Sequence, residues 1–395
     1  MADLLPFEDA LALVLERVVP LEAEEVELAA AAGRVLAADV RAAVDLPPFP
    51  SSAMDGYALR AADTPGTLPV TARVAAGRPA QRPLEAGEAF EISTGGVVPE
   101  GADAVVPVED VVRTGDAIEV AARVDEGANV RPRGGDVEAA ATLVGAGSEL
   151  RPTTVGALAA GGVALVSCAR RPRVAILSTG TELRRAGEPL APGQIYEANA
   201  PMLAAAAAGA GAVPEVHAAV PDDPLAHREA LEHALAGDVV VSSGGVSVGP
   251  HDLVRAVEAE LGVEEVFWRV AVKPGKPVAF GVRGRTLVFG LPGNPVSALV
   301  GFELFVRPAL RALQGAAPGP DFRVGTLAAA ARRSPDRDQL LRARTSLRDG
   351  DVVLEPVRGQ ESHMIARAVG ADALVFVRRG DGEAAAGERV DYLPL

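Results

Sequence analysis

The 395-residue chain has a single cysteine, Cys168, so neither a disulfide framework nor a multi-thiolate metal site can be built from it. A lone thiol of this kind is expected as a small hydrophobe in a core. Long apolar runs are also missing: nowhere do the ~18 consecutive apolar residues of a membrane-spanning helix occur. Basic charge is scarce. With 38 Lys and Arg against 53 Asp and Glu, the formal net charge of −15 argues against a general nucleic-acid binder, whose phosphate contacts need a basic face. Any anionic ligand must find a local cationic cluster. The five histidines show no zinc-ligand spacing, and no GxGxxG, P-loop or Ser-His-Asp grouping is defensible. His227 and His233 read as helix-surface residues. The first residues carry Asp3, Glu8 and Asp9 where a secretory signal needs positive charge ahead of an apolar run. A cytoplasmic enzyme or binding protein, with no membrane and no nucleic-acid partner, is the expectation.

What is present is an ordinary globular balance, 23% charged and 49% hydrophobic, over a length that suits roughly two to four domains. Phe7, Ala10, Leu11, Val14, Leu15 and Val18 recur at helical spacing, and residues 33–40 read as a second short helical piece before the proline cluster LPPFP. From about residue 53 to 138 short valine-bearing runs such as LPVTARV, AFEIS and ADAVVPV alternate with Gly, Pro and Asp, the texture of a small β-rich module. A helical segment at 152–160 follows, so the module reads as an insertion in an elongated helical N-terminal domain. From Arg173 strands and helices alternate in the α/β manner. Helices are expected over 201–208 and 224–235, and Asp223-Pro224 and Asn294-Pro295 each offer an N-cap followed by proline at the first helical position. After Pro320 short strands return, with a hairpin over 340–357 turning at Asp349-Gly350. The fold class is multidomain α/β and β. Its expected parts are an elongated helical domain (1–45 plus 141–170), an inserted β lobe (46–140), an α/β domain with a mostly parallel sheet (171–316), and a C-terminal β domain (317–395).

Chemistry-bearing residues gather after the strands. In DVVVSSGGVSVGPHD, residues 238–252, an apolar strand runs into Gly244 and Gly245 and on to the carboxylate Asp252. Such a turn ahead of a helix is where anions bind. Glu182 in STGTEL and Asp222 also follow candidate strands, where open α/β folds gather ligands. Three loop carboxylates suit a hard cation such as Mg²⁺, and each serves equally well as a helix cap. Arg269, Lys273 and Lys276 surround KPGKP, whose prolines and Gly275 stiffen the loop into an anion clamp or a solvated turn. Asp55 in SSAMDGYA, Thr94 in ISTGG and Asp136 in RPRGGD sit in the β module, and read alone as polar turns.

Nine motifs in order, SSAMDGYA, ISTGGVVPEGADAVVPVED, RPRGGD, STGTEL, PGQIYEAN, SSGGVSVGPHD, KPGKP, GLPGNPVSA and ESHM, resemble the molybdopterin molybdenumtransferases, the molybdenum insertase family that includes the gephyrin E domain. The resemblance implies a homodimer with a molybdopterin-binding α/β domain and a C-terminal β-barrel-like domain. It implies insertion of molybdate into the dithiolene of adenylylated molybdopterin, with Mg²⁺-dependent cleavage of the adenylate, release of AMP and formation of molybdenum cofactor. Molybdopterin adenylyltransferase and molybdoenzyme maturation proteins become possible partners. Carried over by position, Asp55, Thr94 and Asp136 act from the β lobe, of a partner subunit, and Glu182, Asp222 and Asp252 form the acidic, metal-holding rim. Ser178, Thr179, Gly180, Ser243, Gly244, Gly245, Val246, Ser247, Arg269, Lys273, Gly275, Lys276, Pro292 and Asn294 hold the pterin and its phosphates. The family commonly has Lys where Arg269 stands and an acid where Pro250 or His251 stands, and YEAN replaces the more frequent YDxN. A scaffold of the gephyrin type is the non-enzymatic alternative; the adenylyltransferase, resembling one α/β domain alone, leaves residues 1–169 unexplained.

Overall fold

The computed structural model describes residues 4–245 and 253–395. They form two compact units, Glu25–Ala32 with Ala38–Ser167, and Met1–Glu24 with Gly33–Ala37 and Cys168–Leu395.

The first of these units carries a six-stranded sheet in the order Ala104–Pro107, Gly56–Leu59, Ala89–Ile92, Gly66–Val74, Ala117–Val120, Val112–Thr114. The valine-bearing runs become these strands because alternate residues find apolar cover on both faces. Tyr57 and Leu59 pack with Leu68, Val106 and Ile118, while Ala58 packs with Phe90, Ile92 and Val105. The helix Pro152–Ala160 begins on its proline and buries only Leu158.

In the other unit, a mixed sheet runs Val213–Val216, Arg173–Ser178, Val239–Ser243, Thr286–Leu291, Ala279–Arg283, Glu264–Trp268. The first four strands are mutually parallel and the last two antiparallel, as expected of a mostly parallel sheet. Each central strand is buried on both faces, which explains its unbroken apolar run. Val174, Ile176, Val239, Val241 and Phe289 meet Leu203 and Phe302 on one side; Ala175, Leu177, Val240 and Val288 meet Leu231, Ala234 and Val257 on the other. Helices Asn199–Gly209, Pro224–Ala234 and Pro295–Gly301 start within two residues of their expected positions. The last continues through a π-helical turn, Phe302–Val306, into Arg307–Leu313.

The C-terminal strands close on themselves. Asp338–Arg348, Asp351–Pro356, Arg323–Leu327, Arg389–Pro394 and Ala373–Val377 follow one another, and the last pairs back with the first. The hairpin turns at Asp349 and Gly350, both at positive φ, as a tight two-residue turn requires. A short strand, Val272–Lys273, pairs in parallel with the first barrel strand, joining the KPGKP segment to the barrel.

Three local expectations are corrected. Residues 33–40 form no helix: Val35 and Leu36 are buried, Leu36 bridges antiparallel to Cys168, and the Val35 carbonyl accepts from Ala169 N–H at 3.0 Å. Apolar burial here favours an extended chain. Within residues 4–45 and 141–170 the α-helices are Phe7–Glu16 and Pro152–Ala160, the remainder being short strands, turns and one 3-10 turn, Leu28–Ala30. The former buries Phe7, Ala10 and Val14 in the α/β core, where Phe7 meets Phe305 and Phe376 at ring distances of 5.8 and 5.7 Å. Finally, His227 is not a surface residue. It shares the inward face of its helix with Leu231 and Ala234, at spacings of four and seven, whereas His233 is exposed. Cys168 is buried as expected, and burial raises its thiol pKa. Among the described residues no helix is long and apolar enough to cross a membrane.

Burial holds the His227 imidazole below its ordinary 6.5, with Asp222 and Asp223 drawing it partly back. The folded chain therefore binds fewer protons than the unfolded chain once the pH falls below the unfolded value. This contribution is complete above that value and is lost as the pH drops through and below it. His227→Gln is expected to flatten the dependence of urea-unfolding stability on pH between about 7 and 5. A dependence identical to that of the parent chain would contradict the buried, neutral imidazole.

Candidate active site

At the carboxyl ends of the parallel strands lies a cavity of about 620 Å³, within the range of small-molecule sites. Its walls come from six chain segments, carrying Ser178, Thr179, Glu182 and Leu183, residues 195–199, Ser243 and Gly245, Pro277, residues 292–295, and the barrel loop residues His363 and Ile365. Of the expected ligand-holding residues, Ser178, Thr179, Ser243, Gly245, Pro292 and Asn294 line it directly, with Glu182 beside them. Val246, Ser247 and Asp252 lie outside the described residues.

The turn after Val239–Ser243 depends on its glycines. Gly244 and Gly245 have φ of +94° and +68°; a Cβ on Gly244 would meet Thr179 Oγ1 at 2.7 Å, and one on Gly245 would collide with the Val254 side chain. Two strand-end loops can therefore approach backbone to backbone: Thr179 N–H donates to Ser243 O at 3.1 Å and Gly244 N–H to Leu291 O at 3.0 Å.

The floor is cross-braced by two residues of YEAN to which spacing gave no role. Asn199 is buried, and its Nδ2 donates to Ser243 Oγ and to Gly293 O, both at 2.7 Å. Glu197 accepts from the Asn199 and Ala200 amides at 2.8 and 2.9 Å and from Ser178 Oγ at 3.0 Å. A carboxylate of the chain itself thus caps this helix start, so the dipole there is already answered. The amide of Val296, in the other bordering helix, donates to Ser362 O at 3.0 Å. The Asn294 side chain makes no cap bond; its Nδ2 donates to Ser362 Oγ at 2.9 Å. Anion binding must accordingly draw on side-chain cations and glycine-turn amides.

Arg342 positions the barrel loop. Fully buried, it donates to the carbonyls of Met364 and Gly359, each at 2.5 Å, and of Glu361 at 3.2 Å. Burial lowers its pKa, opposed by the charge of Glu361. These bonds hold the segment bearing Ser362 and His363. In sequence the only sign of it was a short polar motif, ESHM, between two strands.

On the rim, Thr181 N–H and Oγ1 donate to Asp222 Oδ2 at 3.4 and 3.3 Å, which places Asp222 beside the loop carrying Glu182. Both carboxylates are exposed. Among the described residues no group of three acidic, histidine or cysteine side chains converges on a metal position. The two rim carboxylates are of the hard-oxygen type that Mg²⁺ takes, and would be the described residues able to hold one. Lys273 and Lys276 are exposed on their loop, whose Pro277 lines the cavity and whose Lys276 carbonyl accepts from Val270 N–H at 3.0 Å. Gly275 takes φ of +118° between them. Arg269 is engaged elsewhere: its guanidinium lies 3.7 Å over the Trp268 ring.

In the β unit, Thr94 N–H donates to Asp55 Oδ1 at 2.7 Å, so SSAMDG and ISTGG meet. Strand Ser51–Ser52 pairs with Val130–Arg131, from which the chain runs on to Asp136, whose amide donates to Leu46 O at 2.9 Å. All three residues are exposed.

Three family models match the chain: the MoeA N-terminal region (domain I and II) over residues 5–162, a probable molybdopterin binding domain over 175–312, and the MoeA C-terminal region (domain IV) over 324–395. Molybdopterin molybdenumtransferase 2 of Mycobacterium tuberculosis is 38% identical over 387 residues, covering 94% of each chain. Molybdopterin molybdenumtransferase of Haemophilus influenzae is 34% identical over 408 residues, covering 99% of each. A crystal structure of a molybdopterin biosynthesis MoeA protein from Pyrococcus horikoshii superposes with a TM-score of 0.82 at 34% identity, covering 99% of each chain.

Asn199→Ala would leave the Ser243 hydroxyl and the Gly293 carbonyl without their donor. It is expected to cost about 1–3 kcal/mol in urea unfolding, the scale of an unsatisfied buried polar group. Undiminished stability would show that the cross-brace carries no weight.

Proposed function

The chain belongs to the MoeA family of molybdopterin molybdenumtransferases and acts in molybdenum cofactor biosynthesis, and on that footing we propose that it inserts molybdate into the dithiolene of adenylylated molybdopterin, releasing AMP. The supporting observation is the 620 Å³ cavity at the strand ends, with a carboxylate rim on one loop pair and a lysine loop bordering it. Glu182, Asp222 and Asp252 are the residues assigned to Mg²⁺, which when bound supplies charge neutralisation at the pyrophosphate.

The remaining roles fall to the chain. Lys273 and Lys276 attract the dianionic molybdate and stabilise negative charge on the departing phosphate. The 244–247 turn receives the pterin phosphate, and Ser178, Thr179, Ser243 and Asn294 orient the ring system. The barrel loop held by Arg342 closes the cavity with His363 and Ile365. The sulfurs that bind molybdenum belong to the pterin, in keeping with a chain whose one cysteine is buried. Asp55, Thr94 and Asp136 are assigned to the reaction as residues supplied by the partner subunit of a homodimer. The four-part domain division, a cytoplasmic location and exchange with molybdopterin adenylyltransferase go with this reading.

AMP release from adenylylated molybdopterin by the purified protein tests it. Release dependent on both molybdate and Mg²⁺, with active cofactor recovered, is the expected result; tight binding without release would replace the reading with a carrier or scaffold. Asp55→Asn is expected to abolish insertion with the circular dichroism unchanged, whereas undiminished turnover would remove the β lobe from the chemistry. Lys276→Ala is expected to weaken pterin binding by about 1.5–3 kcal/mol, the scale of a hydrogen bond to a charged group. Equal affinity would place the phosphate elsewhere.

A further inference from the structure

The segment between barrel strands Asp351–Pro356 and Ala373–Val377 walls two cavities. His363 and Ile365 face the candidate active site. Arg358 and Arg367 line a second cleft of about 400 Å³ together with Arg344 and Glu355.

Three arginines therefore share the lining of this cleft with one carboxylate residue, in a chain whose net charge is −15. Glu355 is already approached by Arg348 at 3.9 Å, and none of the three arginines is in an ion pair among the described residues. Arg344 is held in place, its Nε donating to Gly370 O at 3.1 Å. Arg307, Arg311 and Arg333 each have a carboxylate partner, whereas Arg323, Arg332 and Arg389 are, like the cleft arginines, in no ion pair among the described residues; what distinguishes Arg344, Arg358 and Arg367 is that they line one concavity. A concave group in which three cations outnumber one carboxylate is a ready receptor for an anion, and the planar guanidinium fork matches the spacing of phosphate oxygens.

We propose that this cleft binds a phosphate group, either as the free ion or carried by a small metabolite. Its volume suits a small molecule, and the single carboxylate on the wall disfavours a polyacidic chain. The cleft is distinct from the larger cavity, with which it shares no lining residue.

Isothermal titration of the full chain with sodium orthophosphate and with ribose 5-phosphate, at an ionic strength fixed with NaCl, tests the assignment. Saturable binding of at least one probe is expected, surviving in Lys276→Ala and weakened at least about tenfold in Arg358→Ala/Arg367→Ala, which removes two of the three forks. Both arginines are exposed, and Arg358→Glu provides a single substitution should the double variant fold poorly. Ribose 5-phosphate binding more tightly than orthophosphate identifies a phosphorylated metabolite; equal binding identifies the free ion. No saturable binding of either probe, or equal affinity in the arginine variants, would overturn the proposal.

Discussion

Parallel strands end in bare loops, and in this protein one helix start binds those loops together. Asn199 donates simultaneously to the last residue of one strand and to the loop after another, while Glu197 caps the same helix and takes the hydroxyl at the end of a third. Together with the backbone bonds from Thr179 N–H to Ser243 O and from Gly244 N–H to Leu291 O, these side-chain bonds give the chain at Ser178, Ser243 and Gly293 a common reference at the cavity. The constraint also has an electrostatic side. Because Glu197 answers the helix dipole internally, the positive character needed for an anionic ligand has to come from Lys273 and Lys276 and from the glycine turn.

A second constraint acts from the barrel. Arg342 is buried with carbonyl oxygens as its partners, an arrangement that exchanges hydration of the cation for three charge-assisted hydrogen bonds. Those bonds fix a segment with no regular strand of its own. Ser362, at its tip, then takes the place of an ordinary helix cap, accepting from Val296 N–H and from Asn294 Nδ2. The α/β sheet and the barrel are thereby joined at the cavity through polar bonds, and elsewhere through the contacts of Phe7 with Phe305 and Phe376.

Much of this was legible in the sequence wherever the cause was local. Strands buried on both faces appear as continuous apolar runs, Asp223-Pro224 starts a helix because cap and proline act within one turn, and Asp349-Gly350 turns a hairpin because both residues tolerate positive φ. Glu182 and Asp222 could be placed near each other because open α/β sheets present their loops at one end. What escaped was set by distant partners. Extended pairing of Leu36 with Cys168 overrode a helical pattern, the packing face of a helix buried His227, and Asn294 turned from its own helix to a serine 68 residues away. Arg342, inside a predicted hairpin, gave no sign that it would organise the loop after it.

The most direct measurement is a crystal structure of the protein with adenylylated molybdopterin bound. The pterin should lie between Ser178, Ser243 and Asn294, with its phosphates toward Lys273 and Lys276 and the Glu182–Asp222 rim. A ligand bound away from this cavity, or phosphates directed toward the Glu197-capped helix start, would contradict the account.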